Sequence, residues 1–204
     1  MGLVRAEAKG DGMKRANWTF EVEVGFMGYN RHEYPGAFPD KVEDEIKVVA
    51  NKFTNILHLF SGTSKIGNTR IDLERPEATR NIDVFEWLQT DEAKKRWELV
   101  ILDPPYAIIN AETELKEYGD SNSVSASIPK RNALSDFFKQ YCENVLWLDH
   151  CAPIPEGFIR KKVWFFFPGG YRNIRVLSWL FNDFLINQKK LSEYEKRNPK
   201  EVAK

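Results

Sequence analysis

The residues best suited to chemistry in this chain are Asp103, Pro104, Pro105 and Tyr106, which directly follow the apolar run ELVIL at 98–102. Two consecutive prolines hold φ near about −65° and remove two amide donors. The turn therefore offers one carboxylate and one carbonyl as acceptors, with no N–H group competing for them. Tyr106 adds a flat ring beside them. Such a tip suits a planar group bearing an NH2, such as the exocyclic amine of adenine or cytosine. Two further segments also follow apolar runs: SGTSKIG (61–67) and DHCAP (149–153). Gly62 in the first lets a ligand approach the backbone closely, although two glycines in a loop also fit a plain turn.

Elements able to position these segments are written in the hydrophobic pattern. NILHLFSG (55–62), ELVILDPPY (98–106), VLWLDH (145–150) and VWFFFP (163–168) are short continuous apolar runs. Continuous rather than alternating apolar residues mark strands covered on both faces. Helical patterns separate them. FPDKVEDEIKVVANK (38–52) carries Val42, Ile46, Val49 and Ala50 at helical spacing, with Asp40 as expected N-cap and Glu43 completing a capping box. NALSDFFKQYCENV (132–145) presents Leu134, Phe137, Phe138, Tyr141 and Val145 as one stripe. Strands alternating with helices predict a mostly parallel α/β sheet. YRNIRVLSWLFND (171–183) follows Gly169-Gly170 closely and is expected to pair antiparallel with VWFFFP. WTFEVEVGF (18–26) alternates like a half-buried strand. In such a sheet, ligands lie beyond the carboxyl ends of the strands, where all three polar segments fall.

The motif LHLFSGTSKIG (57–67), followed by LDPPY (102–106), resembles the class I S-adenosylmethionine-dependent amino-methyltransferases. These include the DNA adenine-N6 and cytosine-N4 enzymes, whose hallmark is (D/N/S)PP(Y/F). The resemblance covers about residues 34–182. It implies a Rossmann-like methyltransferase fold: a mostly parallel seven-stranded sheet, one antiparallel strand near the C-terminus and helices on both faces. It implies S-adenosyl-L-methionine as cofactor and methylation of adenine N6 in DNA. Asp103 and Pro104 would orient the amine, Pro105 would stiffen the tip, and Tyr106 would stack on the flipped base. YPGAFPDKVEDEI (34–46), with Phe38, would wall in the cofactor. Phe60, Ser61, Gly62 and Thr63 would line its methionine part. Asp72, with Glu74 as rival, would hold the ribose hydroxyls, and Asp83 the adenine amine. Two positions depart from the family pattern: His58 stands where an acidic residue is usual, and Ser64 where a second glycine is usual. His58 is then either a neutral donor holding the loop or a core histidine.

On this reading the chain has an extension at 1–33, a methyltransferase domain at 34–187 and a charged tail at 188–204. The extension is an added edge strand or a nucleic-acid arm. Within the domain, 107–131 is expected to be a mobile substrate loop. Lys130, Arg131, Arg172 and Arg175 are candidate phosphate contacts. An RNA base methyltransferase and a non-catalytic methyltransferase-like partner subunit are the alternatives.

Composition agrees with a globular domain of 204 residues, 42% hydrophobic and 29% charged, with zero formal net charge. That balance excludes a uniformly basic nucleic-acid-coating protein and an acidic disordered one. Cys142 and Cys151 form neither a disulfide framework nor a zinc pattern, so no metal is expected and a reducing, cytoplasmic setting is. No apolar run reaches the roughly 18 residues that span a bilayer, so membrane association is not expected. A protein partner stays open.

Overall fold

The computed structural model describes residues 4–7, 19–27, 38–105, 124, 127–168 and 174–188. Tyr106, Arg172 and most of the expected substrate loop (107–123, 125 and 126) lie outside the described residues. So does the tail beyond 188.

Twelve elements follow in chain order: β1 (Val4–Glu7), β2 (Thr19–Phe26), α1 (Asp40–Ala50), β3 (Ile56–Leu59), β4 (Thr69–Asp72), β5 (Arg80–Asn81), α2 (Val84–Trp87), β6 (Leu99–Leu102), α3 (Ile128–Tyr141), β7 (Asn144–Asp149), β8 (Phe158–Phe167) and β9 (Arg175–Asn182). Residues 183–188 are helical. Among the described residues the strands form one mixed, mostly parallel sheet in the order β1-β2-β8-β9-β7-β6-β3-β4-β5. Strands β7, β6, β3, β4 and β5 are mutually parallel. Strand β9 runs antiparallel to both β7 and β8, as the sequence near Gly169-Gly170 suggested.

The expected seven strands become nine because the 1–33 stretch joins the same sheet. There β2 pairs in parallel with β8, and β1 pairs antiparallel with β2. This places the extension at the sheet edge.

Strands β3, β6 and β7 are buried at every position, which is why they read as unbroken apolar runs. Alternation along them feeds two cores. Ile56, Leu99, Ile101, Leu146 and Leu148 meet Val42, Ile46 and Val49 of α1 on one face. Leu57, Leu59, Val100, Leu102, Val145 and Trp147 meet α2 and α3 on the other. Burying one such side chain is worth about 1.5–3 kcal/mol, so each face carries ample drive. Asn144, a polar member of the core, is paired: its Nδ2–H donates to the Glu98 carbonyl (3.0 Å) and its Oδ1 accepts from Trp179 Nε1–H (3.2 Å).

Three local expectations change. The N-cap of α1 is Pro39, with no side-chain cap bond, so Asp40 sits inside the first turn and no capping box forms; Glu43 pairs instead with Lys47 at 3.0 Å. Helix α3 begins at Ile128, inside the stretch expected as loop, and ends at Tyr141. Pro129 is tolerated there because first-turn N–H groups lack helical partners anyway. Val145 therefore belongs to β7 and not to the helical stripe, since Cys142 already has extended φ −118° and ψ 127°.

Among the described residues no helix is long and apolar enough to cross a membrane.

Candidate functional site

Going outward in the parallel part of the sheet, β4 and β5 lie on one side of β3, while β6 and β7 lie on the other. The chain therefore reverses its direction of travel between β3 and β6. A crevice opens at such a point beyond the carboxyl ends. Register pairs Leu59 with Leu102, so Phe60 and Asp103 leave the sheet side by side.

The loop after β3 is tightly folded. Phe60 has φ +55°, the left-handed region, which costs a non-glycine residue about 1–2 kcal/mol. Its ring packs against Phe85 of α2, centroids 6.4 Å apart. Ser61 N–H donates to the Ile71 carbonyl (3.0 Å). Gly62, at φ +52°, donates its N–H to Asp72 Oδ2 (2.9 Å). Ser64 N–H donates to the Ser61 carbonyl (2.9 Å), and Ser64 Oγ accepts from Ile66 N–H (3.2 Å). Ser64 is not among the positive-φ residues, so a serine there is unstrained where the resembled family usually has glycine. Gly67 carries a glycine requirement instead. Its φ is +101°, and a Cβ there would stand 3.3 Å from the Ile56 carbonyl oxygen.

His58 is fully buried on β3. It contacts the same loop: Nδ1 lies 3.1 Å from the Ile66 carbonyl oxygen. Only a protonated Nδ1 can bond there, so Nε2 is the bare acceptor. Burial lowers the imidazole pKa to about 4, and Arg70 adds to this against the Ile66 carbonyl. His58 is thus a neutral donor that pins the loop. Its ring stacks on Phe38, centroids 5.7 Å and planes 8° apart. Two buried polar atoms border the loop without a partner among the described residues, His58 Nε2 and Ser61 Oγ. Thr63 is half-buried beside them.

Asp72 ends β4 and acts as the strut of the loop. Its second oxygen accepts from Glu74 and Arg75 N–H, both at 3.2 Å. Glu74 is exposed, and its backbone N–H donates to Asp72. Asp83, beyond β5, is the N-cap of α2; its Oδ1 accepts from Phe85 N–H (2.8 Å) and Glu86 N–H (3.3 Å). The Asp83/Glu86 spacing has the form of a cap signal, a local role the motif reading passed over. On the other side of the crevice, Asp103 and Pro105 are half-buried and Pro104 is buried.

Of the expected phosphate contacts, Lys130, Arg131 and Arg175 are among the described residues, and their surroundings differ. Lys130 Nζ lies 6.0 Å from the Phe85 ring, near the loop. Arg131 is committed elsewhere: one Nη2 reaches Asp149 Oδ2 (3.0 Å) and Cys151 Sγ (2.7 Å). Asp149, only 1% exposed at the end of β7, also accepts from His150 N–H (2.6 Å). Arg175 opens β9 and, after burial, is the main influence lowering the His150 pKa. The DHCAP segment thus joins α3 to the sheet, a long-range pairing that no local pattern reveals. A cavity of about 630 Å³ lies at the opposite end, between the last turns of α3 and residues 183–188; it takes no part in the crevice.

Contacts join Phe38, His58, Ser61, Gly62 and Asp72 around the loop after β3, and the β3/β6 register sets Asp103 next to the start of that loop, while Asp83 is bonded to the first turn of α2. No protein-family model matches this chain, and no curated protein shows significant similarity to it.

Proposed function

We propose that the protein is an S-adenosylmethionine-dependent methyltransferase acting on an exocyclic base amine, adenine N6 in DNA foremost. The observation that carries this is the register of β3 and β6, which sets the Phe60–Gly62 loop beside the Asp103–Pro105 tip. The strand order lends support. Counted from β3, the parallel strands run 3-2-1-4-5-6, with β9 inserted antiparallel before the last, which matches a doubly wound Rossmann-like sheet. Residue types fit the cofactor as well. Ser61 Oγ and His58 Nε2 are buried polar atoms awaiting partners, and buried polar groups normally find them. Asp72 has lone pairs beyond its three backbone bonds, since a carboxylate offers about four.

When bound, S-adenosylmethionine supplies an electrophilic methyl group. The chain's own residues then hold the amine. Asp103 and the Pro104 carbonyl accept its two N–H bonds, which withdraws the nitrogen lone pair from the ring and aims it. The N–CH3 bond would form as the S–CH3 bond of the cofactor breaks, leaving the thioether S-adenosylhomocysteine, and one amine proton would pass by way of Asp103 to solvent. This is positioning and electrostatic stabilisation, with no prior deprotonation needed. Tyr106 is the stacking surface for a base taken out of its helix.

The test is calorimetric titration with S-adenosylmethionine, followed by transfer of labelled methyl to DNA and RNA oligonucleotides. Parent and Asp103→Ala proteins are both expected to bind the cofactor at micromolar concentration, and only the parent to transfer methyl. Full transfer by Asp103→Ala would remove that residue from the chemistry. Absence of binding at millimolar cofactor would favour the partner-subunit reading instead.

A further inference from the structure

Four buried hydrogen-bonding atoms gather where α3 meets the sheet, and none has a partner among the described residues: Arg131 Nε, Trp147 Nε1, Arg160 Nε and Ser178 Oγ. Strand register brings them together. Ser178 of β9 lies opposite Trp147 of β7, and Leu180, two residues on, lies opposite Arg160 of β8. Opposed residues share a face, as do residues two apart on one strand. Trp147 and Leu180 belong to the core packed by α2 and α3, so Ser178 and Arg160 stand on that side as well. Arg131 enters from α3, its guanidinium 5.8 Å from the Trp147 ring. The two arginines then meet consecutive residues of the β7–β8 connection. Arg131 Nη2–H donates to Cys151 Sγ (2.7 Å), and Arg160 Nη2–H donates to the Ala152 carbonyl (2.6 Å). In each guanidinium the Nε–H of the same edge is left over.

Trp147 is 1% exposed and Ser178 0%, so bulk water does not serve them, and buried polar atoms normally find a partner. All four atoms can donate, and three can only donate. The partner that suits them is therefore an acceptor. A single water accepts two hydrogen bonds and leaves half of the donors unserved. Charge points the same way. Arg131 is balanced by Asp149, whose oxygens accept from Arg131 Nη2–H (3.0 Å) and His150 N–H (2.6 Å). Arg160 pairs with no carboxylate among the described residues, and burial lowers its pKa. Lys139 and Glu156, farther along the same connection, offset each other at 2.8 Å. These groups together keep one positive charge in excess, and a buried charge calls for a counter-charge.

We propose that Arg131, Trp147, Arg160 and Ser178 form a binding site for one phosphoryl oxyanion, supplied as inorganic phosphate or as a phosphate of a polynucleotide. Guanidinium edges take phosphate oxygens side-on, and the indole N–H and the hydroxyl close the site from the sheet. The donors come from the sheet below, from α3 on one side and from β8 on the other. That spread suits a tetrahedral anion better than a planar carboxylate. The rim is formed by Arg131, whose side chain is one-quarter exposed, and by exposed Cys151. None of the four residues belongs to the Asp103 tip or to the loop after β3, so the site stands or falls apart from the methylation reading.

The experiment uses the full-length chain at constant ionic strength, with chloride exchanged for inorganic phosphate. The parent Tm is expected to rise by about 5–10 °C once phosphate stands a hundredfold above its dissociation constant. Ser178→Ala removes a buried hydroxyl that has no partner, so without phosphate its Tm stays at or above that of the parent, while its phosphate affinity falls about tenfold. Arg160→Lys keeps the charge, loses the planar fork and falls at least as far. A local readout is the indole N–H resonance of Trp147, one of six such groups in the chain, assigned with Trp147→Phe. Phosphate is expected to shift it in the parent and much less in Arg160→Lys. With phosphate active, a single strand of about 16 nucleotides that moves the same resonance makes a backbone phosphate the occupant; a strand without effect makes it the free ion. No phosphate-dependent rise in Tm, an equal rise in both variants, or an unmoved Trp147 resonance overturns the site and leaves ordered water as the partner of these atoms. An equal response to acetate overturns the phosphoryl class.

Discussion

Replacing Asp72 with alanine separates the architecture of the crevice from its ligand chemistry. The carboxylate accepts from three backbone N–H groups, those of Gly62, Glu74 and Arg75. Gly62 is buried, and a buried donor stripped of its acceptor costs about 1–3 kcal/mol. Glu74 is exposed and Arg75 half-buried, so water replaces their partner at a smaller cost of a few tenths of a kcal/mol each. The expected loss is about 2 kcal/mol, which for a domain of this size is a fall of about 4–8 °C in Tm. Asp72→Asn keeps one acceptor oxygen and is expected to lose about half as much. Thermal unfolding by circular dichroism reads the stability, and calorimetry with S-adenosylmethionine reads the site. Affinity is expected to fall at least about tenfold in both variants, because two ribose hydroxyls lose a charged acceptor. If Tm stays within about 1 °C of the parent, the Gly62–Asp72 bond does not hold the loop. If Tm falls and affinity does not, Asp72 is a strut and the ribose lies elsewhere.

Two further outcomes follow from buried polar pairs. His58 is neutral when folded, with its pKa lowered by burial from 6.5 to about 4. The unfolded chain therefore binds the extra proton first, and stability is lost as pH falls from 6.5 toward 4, by about 3 kcal/mol. Urea unfolding of His58→Gln at pH 7 and pH 4.5 should show a flatter acid dependence than the parent; equal dependence would clear His58 of that role. Arg131→Ala leaves Asp149 buried without its guanidinium and is expected to cost about 2–4 kcal/mol. Replacing both residues with leucine is expected to recover part of the loss. A parent-like urea midpoint for Arg131→Ala would mean the pair contributes nothing.

Which parts of this fold were legible depended on how local their causes are. Strands β3, β6 and β7 announced themselves because both their faces are buried. The antiparallel pairing of β8 with β9 was legible from the short Gly169-Gly170 connection between two apolar runs. The start of α3 was not, because Ile128-Pro129 sits against a serine-rich stretch and only the first-turn exemption admits the proline. Val145 was counted in both the helical stripe and the strand run because the two patterns meet there, whereas α3 ends at Tyr141 and β7 begins at Asn144. The loop after β3 was visible as a glycine-containing turn at the end of an apolar run. The loop-holding role of His58 was one of two readings the sequence left open; the strut role of Asp72 toward Gly62 was not legible, since it depends on how β3 and β4 lie together. Arg131 looked like a surface cation because its partner, Asp149, lies across the α3–β7 connection.

The parallel pairing of β2 with β8 also has a temporal side. Glu21 sits opposite Lys162, so a strand near the beginning of the chain docks on one near its end. The β3–β7 core can close as soon as β7 leaves the ribosome, but β2 must wait for β8 to be made and seated by β9. Pairings of such sequence separation form late and slowly. During synthesis, Met27, which is buried in the folded chain, is therefore uncovered for the whole interval, a window in which a chaperone would find it.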